Sequence, residues 1–211
     1  SGLTMVLVEI ISKKSNKLIV EQFQGSLVRA VDRIEQFTID QLVVLLANIA
    51  EGISLMHKNG DFHGDIKPAN MLYDSTRGAI CDLGLTVPFN EYKSTGFYGH
   101  PSYTAPELFG DLQFTKDLVQ IEIFAFGLSI YEIIEHSLPK WTSILRRHAM
   151  HPDSIEKSAQ ENLQNEITKW LQEETETLST IKCQKTRALK AYALLMLNVE
   201  PEKRPSSFQE I

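Results

Sequence analysis

The chain has 211 residues, 43% apolar and 23% charged, a balance that supports one folded domain with a buried core and excludes a disordered tail or a collagenous repeat. With 27 acidic residues against 21 basic ones, the formal charge is −6, and no cationic cluster offers itself to a phosphate backbone, so no nucleic-acid partner is expected. The 2 cysteines, Cys81 and Cys183, form neither a disulfide framework nor a metal-ligand spacing, which predicts two buried thiols in a reducing compartment.

Residues 3–11 are apolar but too short to cross a bilayer and are interrupted by Glu9, so they read as a strand rather than a membrane segment or signal peptide. A polar turn at residues 12–16 joins them to a second β-branched run at 17–23, which predicts a β-hairpin. Gln24-Gly25-Ser26 breaks the pattern, and a short helix is predicted over 27–34. Thr38-Ile39-Asp40-Gln41 has the form of a capping box. Behind it Leu42, Val43, Leu45, Leu46, Ile49, Ile53 and Met56 recur at helical spacing until Asn59-Gly60, predicting a long, mostly buried helix. Residues 61–115 hold turn formers and short strand-like pieces at 70–73 and 79–81; so long a loop-rich stretch inside a compact domain signals function. Residues 116–136 are apolar nearly all round, which predicts a helix through the core. One or two surface helices are expected over 153–180 and a last buried helix over 187–199. Ser206-Ser207 reads as the cap of a further helix left incomplete.

Four motifs stand in order along this frame: His63-Gly64-Asp65-Ile66-Lys67-Pro68-Ala69-Asn70, then Asp82-Leu83-Gly84, Ala105-Pro106-Glu107 and Pro201-Glu202-Lys203-Arg204-Pro205. Together they resemble the catalytic loop, the metal-binding D-F-G, the A-P-E and the late P-x-x-R-P of eukaryotic-type serine/threonine protein kinases. The resemblance implies an α+β, protein-kinase-like fold. Residues 24–211 would be mainly its helical C-lobe, and residues 1–23 a residual N-lobe β-hairpin leading into the hinge. It implies phosphoryl transfer from ATP, with magnesium, to a serine or threonine hydroxyl of a protein substrate.

The same resemblance assigns roles position by position. Asp65 would orient the acceptor hydroxyl and take its proton, and Lys67 would sit on the transferring phosphate. Asn70 and Asp82 would hold magnesium, as hard oxygen ligands suit that ion. Val20 would be the gatekeeper, Glu21, Gln22 and Phe23 the hinge around the adenine, and Leu72 its floor. His63 and Leu83 would stack in a hydrophobic column, and Glu107 would form a buried ion pair with Arg204. Carboxylates and an amide converging on phosphate and nucleophile are what in-line transfer requires.

The sequence also departs from the family pattern. Gly64 replaces the arginine that normally pairs with an activation-loop phosphate, so activity is expected not to depend on such a phosphate. Glu122 replaces the core-helix aspartate that holds the catalytic loop and is one methylene longer. His100 replaces a threonine in the G-T-P-x-Y platform, and Tyr92, Ser94, Thr95 and Tyr98 are candidate phosphate acceptors. No glycine-rich loop, strand lysine or partner glutamate occurs, and Lys13, Lys14 and Lys17 sit in or beside the hairpin turn, so a piece of a longer kinase, inactive alone, is expected. The H-G-D wording, with asparagine five residues after the aspartate, resembles aminoglycoside and choline phosphotransferases too. Lys67, the A-P-E triplet and Arg204 favour protein kinases over these, and a pseudokinase or scaffold is the third reading. His148 and His151 have a spacing a metal accepts but lack further ligands, and His57 and His136 read as helix-end residues. A cytoplasmic location is expected, or a host cytosol for a secreted bacterial effector. No sequence feature sets an oligomeric state.

Overall fold

The computed structural model describes residues 8–12, 17–28, 37–92, 99–109, 116–150 and 157–211. The predicted hairpin is formed by β1 (Val8–Ser12) and β2 (Lys17–Val20), antiparallel, with Val8 opposite Val20 and an irregularity between Ile10 and Ser12. β2 stops at Val20, and residues 21–23 continue as unpaired backbone. The break expected at Gly25 is in fact β3 (Gly25–Ser26), because pairing with a later strand overrides the poor strand propensity of Gly and Ser. Most of the helix expected over 27–34 falls outside the described residues.

α1 (Ile39–Lys58) begins at the predicted capping box. The Gln41 amide donates to Thr38 Oγ1 at 3.2 Å, and Gln41 Oε1 accepts from the Thr38 amide at 2.8 Å. The helix is long and apolar enough to cross a bilayer, but half of that stretch is buried in the fold, as befits a core helix. After it come β4 (Asp61–Phe62), β5 (Met71–Tyr73), β6 (Gly78–Ile80) and β7 (Val87–Pro88). β3, β5 and β6 form one antiparallel sheet with β5 in the middle, while β4 pairs with β7. The predicted strand pieces at 70–73 and 79–81 are therefore β5, which starts one residue later, and β6, which lies one residue earlier.

Among the described residues four further α-helices follow: α2 (Lys116–Glu135), α3 (Thr142–Met150), α4 (Lys157–Thr177) and α5 (Gln184–Met196). α3 is absent from the sequence expectations. It has nine residues, and among its described side chains Leu145 is the fully buried apolar one, too little for a helical period to register. α2 is apolar on all sides because it lies between two cores. Ile123, Phe126, Ile130 and Ile133 pack with α1 and with Ala193 and Met196 of α5. Phe124, Leu128 and Tyr131 pack with Trp141, Leu145, Leu163 and Ile167. Each large apolar side chain so buried contributes about 1.5–3 kcal/mol. α2 and α5 approach at Gly127, where a Cβ would lie 2.6 Å from Met196 Cβ and 3.1 Å from the Ala193 oxygen.

A charge is buried at the same junction. Lys190 of α5 bonds Glu135 of α2 and Glu174 of α4, both at 2.7 Å, and its ammonium lies 5.6 Å from the Tyr131 ring centroid. Burial alone would lower the Lys190 pKa, but the two carboxylates outweigh it and hold it above its ordinary value. Neither cysteine is the fully buried thiol expected. Cys81 is partly buried, its pKa pushed up to about 11 by burial and by Asp82, whereas Cys183 is exposed ahead of α5.

Candidate active site

The loop between β4 and β5 is tied to the two central helices at its first turn. Gly64 has φ +84°, a conformation glycine adopts without strain, and its amide donates to Glu122 Oε1 at 2.7 Å. Glu122 projects from α2, is 2% exposed, and offers its other oxygen to His57 Nε2 at 2.6 Å. The longer carboxylate thus still reaches the loop. His57 is more than a helix-end residue: it joins α1 to α2 across 65 positions, a separation at which no periodicity operates. Glu122→Ala leaves an amide and an imidazole without partners in the interior. It is expected to cost about 2–4 kcal/mol, and Glu122→Gln less; denaturation of the full-length protein should rank the variants in that order.

The next residues fix Asp82. His63 is fully buried, and its Nδ1 accepts from the Asp65 amide at 3.2 Å. That assignment leaves the proton on Nε2, which donates to the Cys81 carbonyl at 3.0 Å. The Cys81 amide donates to the Asn70 carbonyl at 2.9 Å. With both backbone groups of Cys81 held by the loop, Asp82 is placed beside it. Asp82 itself has φ 67° and accepts from the Gly84 amide at 3.4 Å. This left-handed residue and the 3-10 turn Leu83–Leu85 carry Leu83 to the surface, where it is 44% exposed.

Asp65, Lys67 and Asn70 meet directly. Asp65 Oδ2 accepts from Lys67 Nζ at 2.6 Å and from Asn70 Nδ2 at 3.0 Å. Asn70 Nδ2 also donates to the Asp65 carbonyl at 2.8 Å, which turns the amide oxygen of Asn70 away from Asp65. The 3-10 turn Pro68–Asn70, with proline at its start, folds Asn70 back onto Asp65. Asp65 Oδ1 is buried and has no hydrogen-bond partner among the described residues.

Asp65 lines a cleft with Phe62, Gly99, His100, Tyr103 and Thr104. A Cβ at Gly99 would lie 2.3 Å from the Gly64 oxygen, so the far wall touches the loop at a distance only glycine permits. His100 Nδ1 accepts from the Ser102 amide at 3.3 Å. Burial and the nearby Lys67 ammonium lower its pKa, with Asp65 opposing them. The Tyr103 hydroxyl donates to Glu132 of α2. Burial and that carboxylate push the phenol well above its ordinary range.

On the other side, Val20 ends β2, and Glu21, Gln22 and Phe23 lead to β3. β3 pairs with β5, setting Ser26 opposite Leu72, which is half-buried two residues beyond Asn70. The predicted ion pair is present: Arg204 Nη1 and Nη2 donate to Glu107 Oε1 and Oε2 at 2.5 and 2.9 Å. Of the four candidate phosphate acceptors, Ser94, Thr95 and Tyr98 lie outside the described residues. Tyr92 packs its ring 5.5 Å from that of Phe62, with its hydroxyl buried rather than open. His151 and the side chain of His148 also lie outside the description.

The family model described as protein kinase domain matches residues 5–211. The chain belongs to the protein kinase family. That membership decides between the two phosphotransferase resemblances in favour of protein kinases. Relatives in this family include inhibitor of nuclear factor kappa-B kinase subunit alpha from Gallus gallus, 28% identical over 175 residues, which cover 78% of this chain and 22% of the relative. A putative mitogen-activated protein kinase kinase kinase 7-like protein of Drosophila melanogaster is 27% identical over 176 residues, covering 81% and 40%. Calcium/calmodulin-dependent protein kinase type II of Caenorhabditis elegans is 33% identical over 101 residues, covering 46% and 14%. The chain thus spans well under half the length of these kinases. Members of the family use ATP and a divalent metal in general.

Proposed function

We propose that the chain is the acceptor-binding and metal-holding portion of a serine/threonine protein kinase that uses ATP and magnesium, with residues 24–211 as its C-lobe and residues 1–23 as the end of its N-lobe. The observation that supports this reading is the division of labour on Asp65. One oxygen is held by Lys67 and Asn70; the other is buried without a hydrogen-bond partner among the described residues. A buried carboxylate oxygen in that state is an acceptor for a hydroxyl proton. Asp65 Oδ1 takes the hydrogen bond of the acceptor hydroxyl and then its proton, while Asn70 and Lys67 keep the carboxylate from turning. Lys67, two residues after Asp65, supports serine or threonine as the acceptor in this family. Val20 borders the base, Glu21, Gln22 and Phe23 hold it, and Leu72 lies beneath it.

The donor set fits magnesium. Among the described residues no three His, Cys, Asp or Glu side chains gather into a cage, whereas Asn70 has its amide oxygen turned away from Asp65 and Asp82 is an exposed residue. One or two protein oxygens completed by phosphate oxygens and water are the usual surroundings of this ion. Asn70 and Asp82 would hold it, and bound there it neutralises charge on the nucleotide phosphates. The test is transfer of labelled phosphate from ATP to serine- and threonine-containing peptides by the full-length protein, with nucleotide binding titrated against magnesium. Magnesium-dependent binding that is lost in Asp82→Asn, and phosphoserine or phosphothreonine as product, is expected. Binding indifferent to magnesium, or no phosphate on protein, would overturn the reading.

A further inference from the structure

Between β2 and β3, the residues proposed to hold the base belong to no strand or helix. They are steadied by the turn that joins β5 to β6. Asp74 builds that turn: its Oδ1 accepts from the Thr76 amide at 2.8 Å, the Thr76 hydroxyl at 2.9 Å and the Arg77 amide at 3.0 Å. These donors, the Thr76 amide foremost, hold the carboxyl below its ordinary range. Arg77 then points its guanidinium at the hinge. Nε donates to Asp74 Oδ2 at 3.3 Å, Nη2 donates to Glu21 Oε1, and the guanidinium carbon lies 5.1 Å from the Phe23 ring centroid. The side chains of Arg77 and Glu21 are 21% and 35% exposed.

The placement has a simple geometry. In extended backbone, residues two apart share a side, so Glu21 and Phe23 face Arg77 together while Gln22 is exposed. A bond from the Gln24 amide to the Tyr73 carbonyl at 2.9 Å pins the following residue to the same hairpin. We propose that Arg77 is a positioning residue for nucleotide binding, clamping residues 21–23 against the β5–β6 turn so that their backbone is preset for the base. Arginine suits the task because its planar fork bonds two carboxylates while its face covers an aromatic ring, which a lysine cannot do at once. A preset segment leaves less ordering for the ligand to impose on binding.

The inference rests on the proposed assignment of the base to residues 21–23, and the experiment separates the two. In the full-length protein, Arg77→Ala is expected to raise KM for ATP by roughly tenfold and Arg77→Lys by roughly threefold, with kcat within about twofold. The charge exchange Glu21→Arg with Arg77→Glu should recover part of the loss, which a general loss of stability would not. ATP binding by the wild type with KM unchanged in both single variants overturns the clamp alone, as does a fall in kcat at constant KM. Failure of the wild type to bind ATP overturns the proposed function and the clamp with it.

Discussion

Asp65→Asn in the full-length protein is expected to lower kcat by about 10²–10⁴-fold while leaving KM for ATP within about twofold. The substitution keeps the size of the side chain and retains one oxygen for the bonds that Oδ2 now accepts from Lys67 and Asn70. It removes the negative charge, and it puts an NH₂ where Oδ1 now lies buried without a partner. An amide there donates instead of accepting, so it repels the hydrogen of the incoming hydroxyl and cannot take its proton. Because Asp65 does not contact the proposed base segment, nucleotide affinity should survive. Steady-state kinetics on a peptide substrate, with direct binding of magnesium and ATP, separates the two effects. Full turnover in Asp65→Asn would show that the unpartnered oxygen has no part in the reaction. Loss of nucleotide binding as well would point to collapse of the loop, through the Asn70 bond to the Asp65 carbonyl.

The legible parts of this structure are those written locally. A capping box followed by a sustained helical period places the start of α1 at Thr38 and its end beside Asn59, since both signals lie within one stretch of chain. α2 was legible because a helix between two cores must be apolar on every side. Other elements are fixed by partners far away. β3 is a strand because β5 pairs with it, and α3 forms around Leu145 and Trp141 in a core supplied by other helices. The motif order pointed to Asp65, Lys67 and Asn70, which are within five residues of one another, and their contacts follow from a tight turn. What the motif could not reveal is its support: the His57–Glu122–Gly64 chain and the two bonds that hold Cys81 both join residues remote in sequence. Cys183 was misread from the usual burial of free cysteine, a tendency that residues ahead of a surface helix end escape.

Arg204→Ala is expected to be the most destabilising of these substitutions, by about 3–5 kcal/mol. Arg204 carries five N–H groups on a side chain with no exposure, and the structure gives partners from three segments. Two bonds go to Glu107, one to the Asn198 carbonyl at 2.7 Å and one to the Gln120 carbonyl at 2.9 Å, and the guanidinium carbon lies 4.9 Å from the Phe124 ring centroid. The pair itself is worth little, because taking both charges out of water offsets most of their attraction. Breaking it is costly, since Glu107 keeps its charge, 16% exposed, with the fork removed. For a domain of this size the loss corresponds to a fall in Tm of roughly 6–20 °C. Arg204→Lys should recover only part, because an ammonium cannot reach two carbonyls and both carboxylate oxygens. The double variant Arg204→Met with Glu107→Leu should be more stable than Arg204→Ala, as it leaves no orphaned charge. Thermal melts of the three variants and the wild type decide the matter: a Tm for Arg204→Ala equal to wild type would mean that Glu107 is solvated in solution, and a double variant no better than the single would mean that the carbonyl bonds, not the ion pair, hold this corner of the fold.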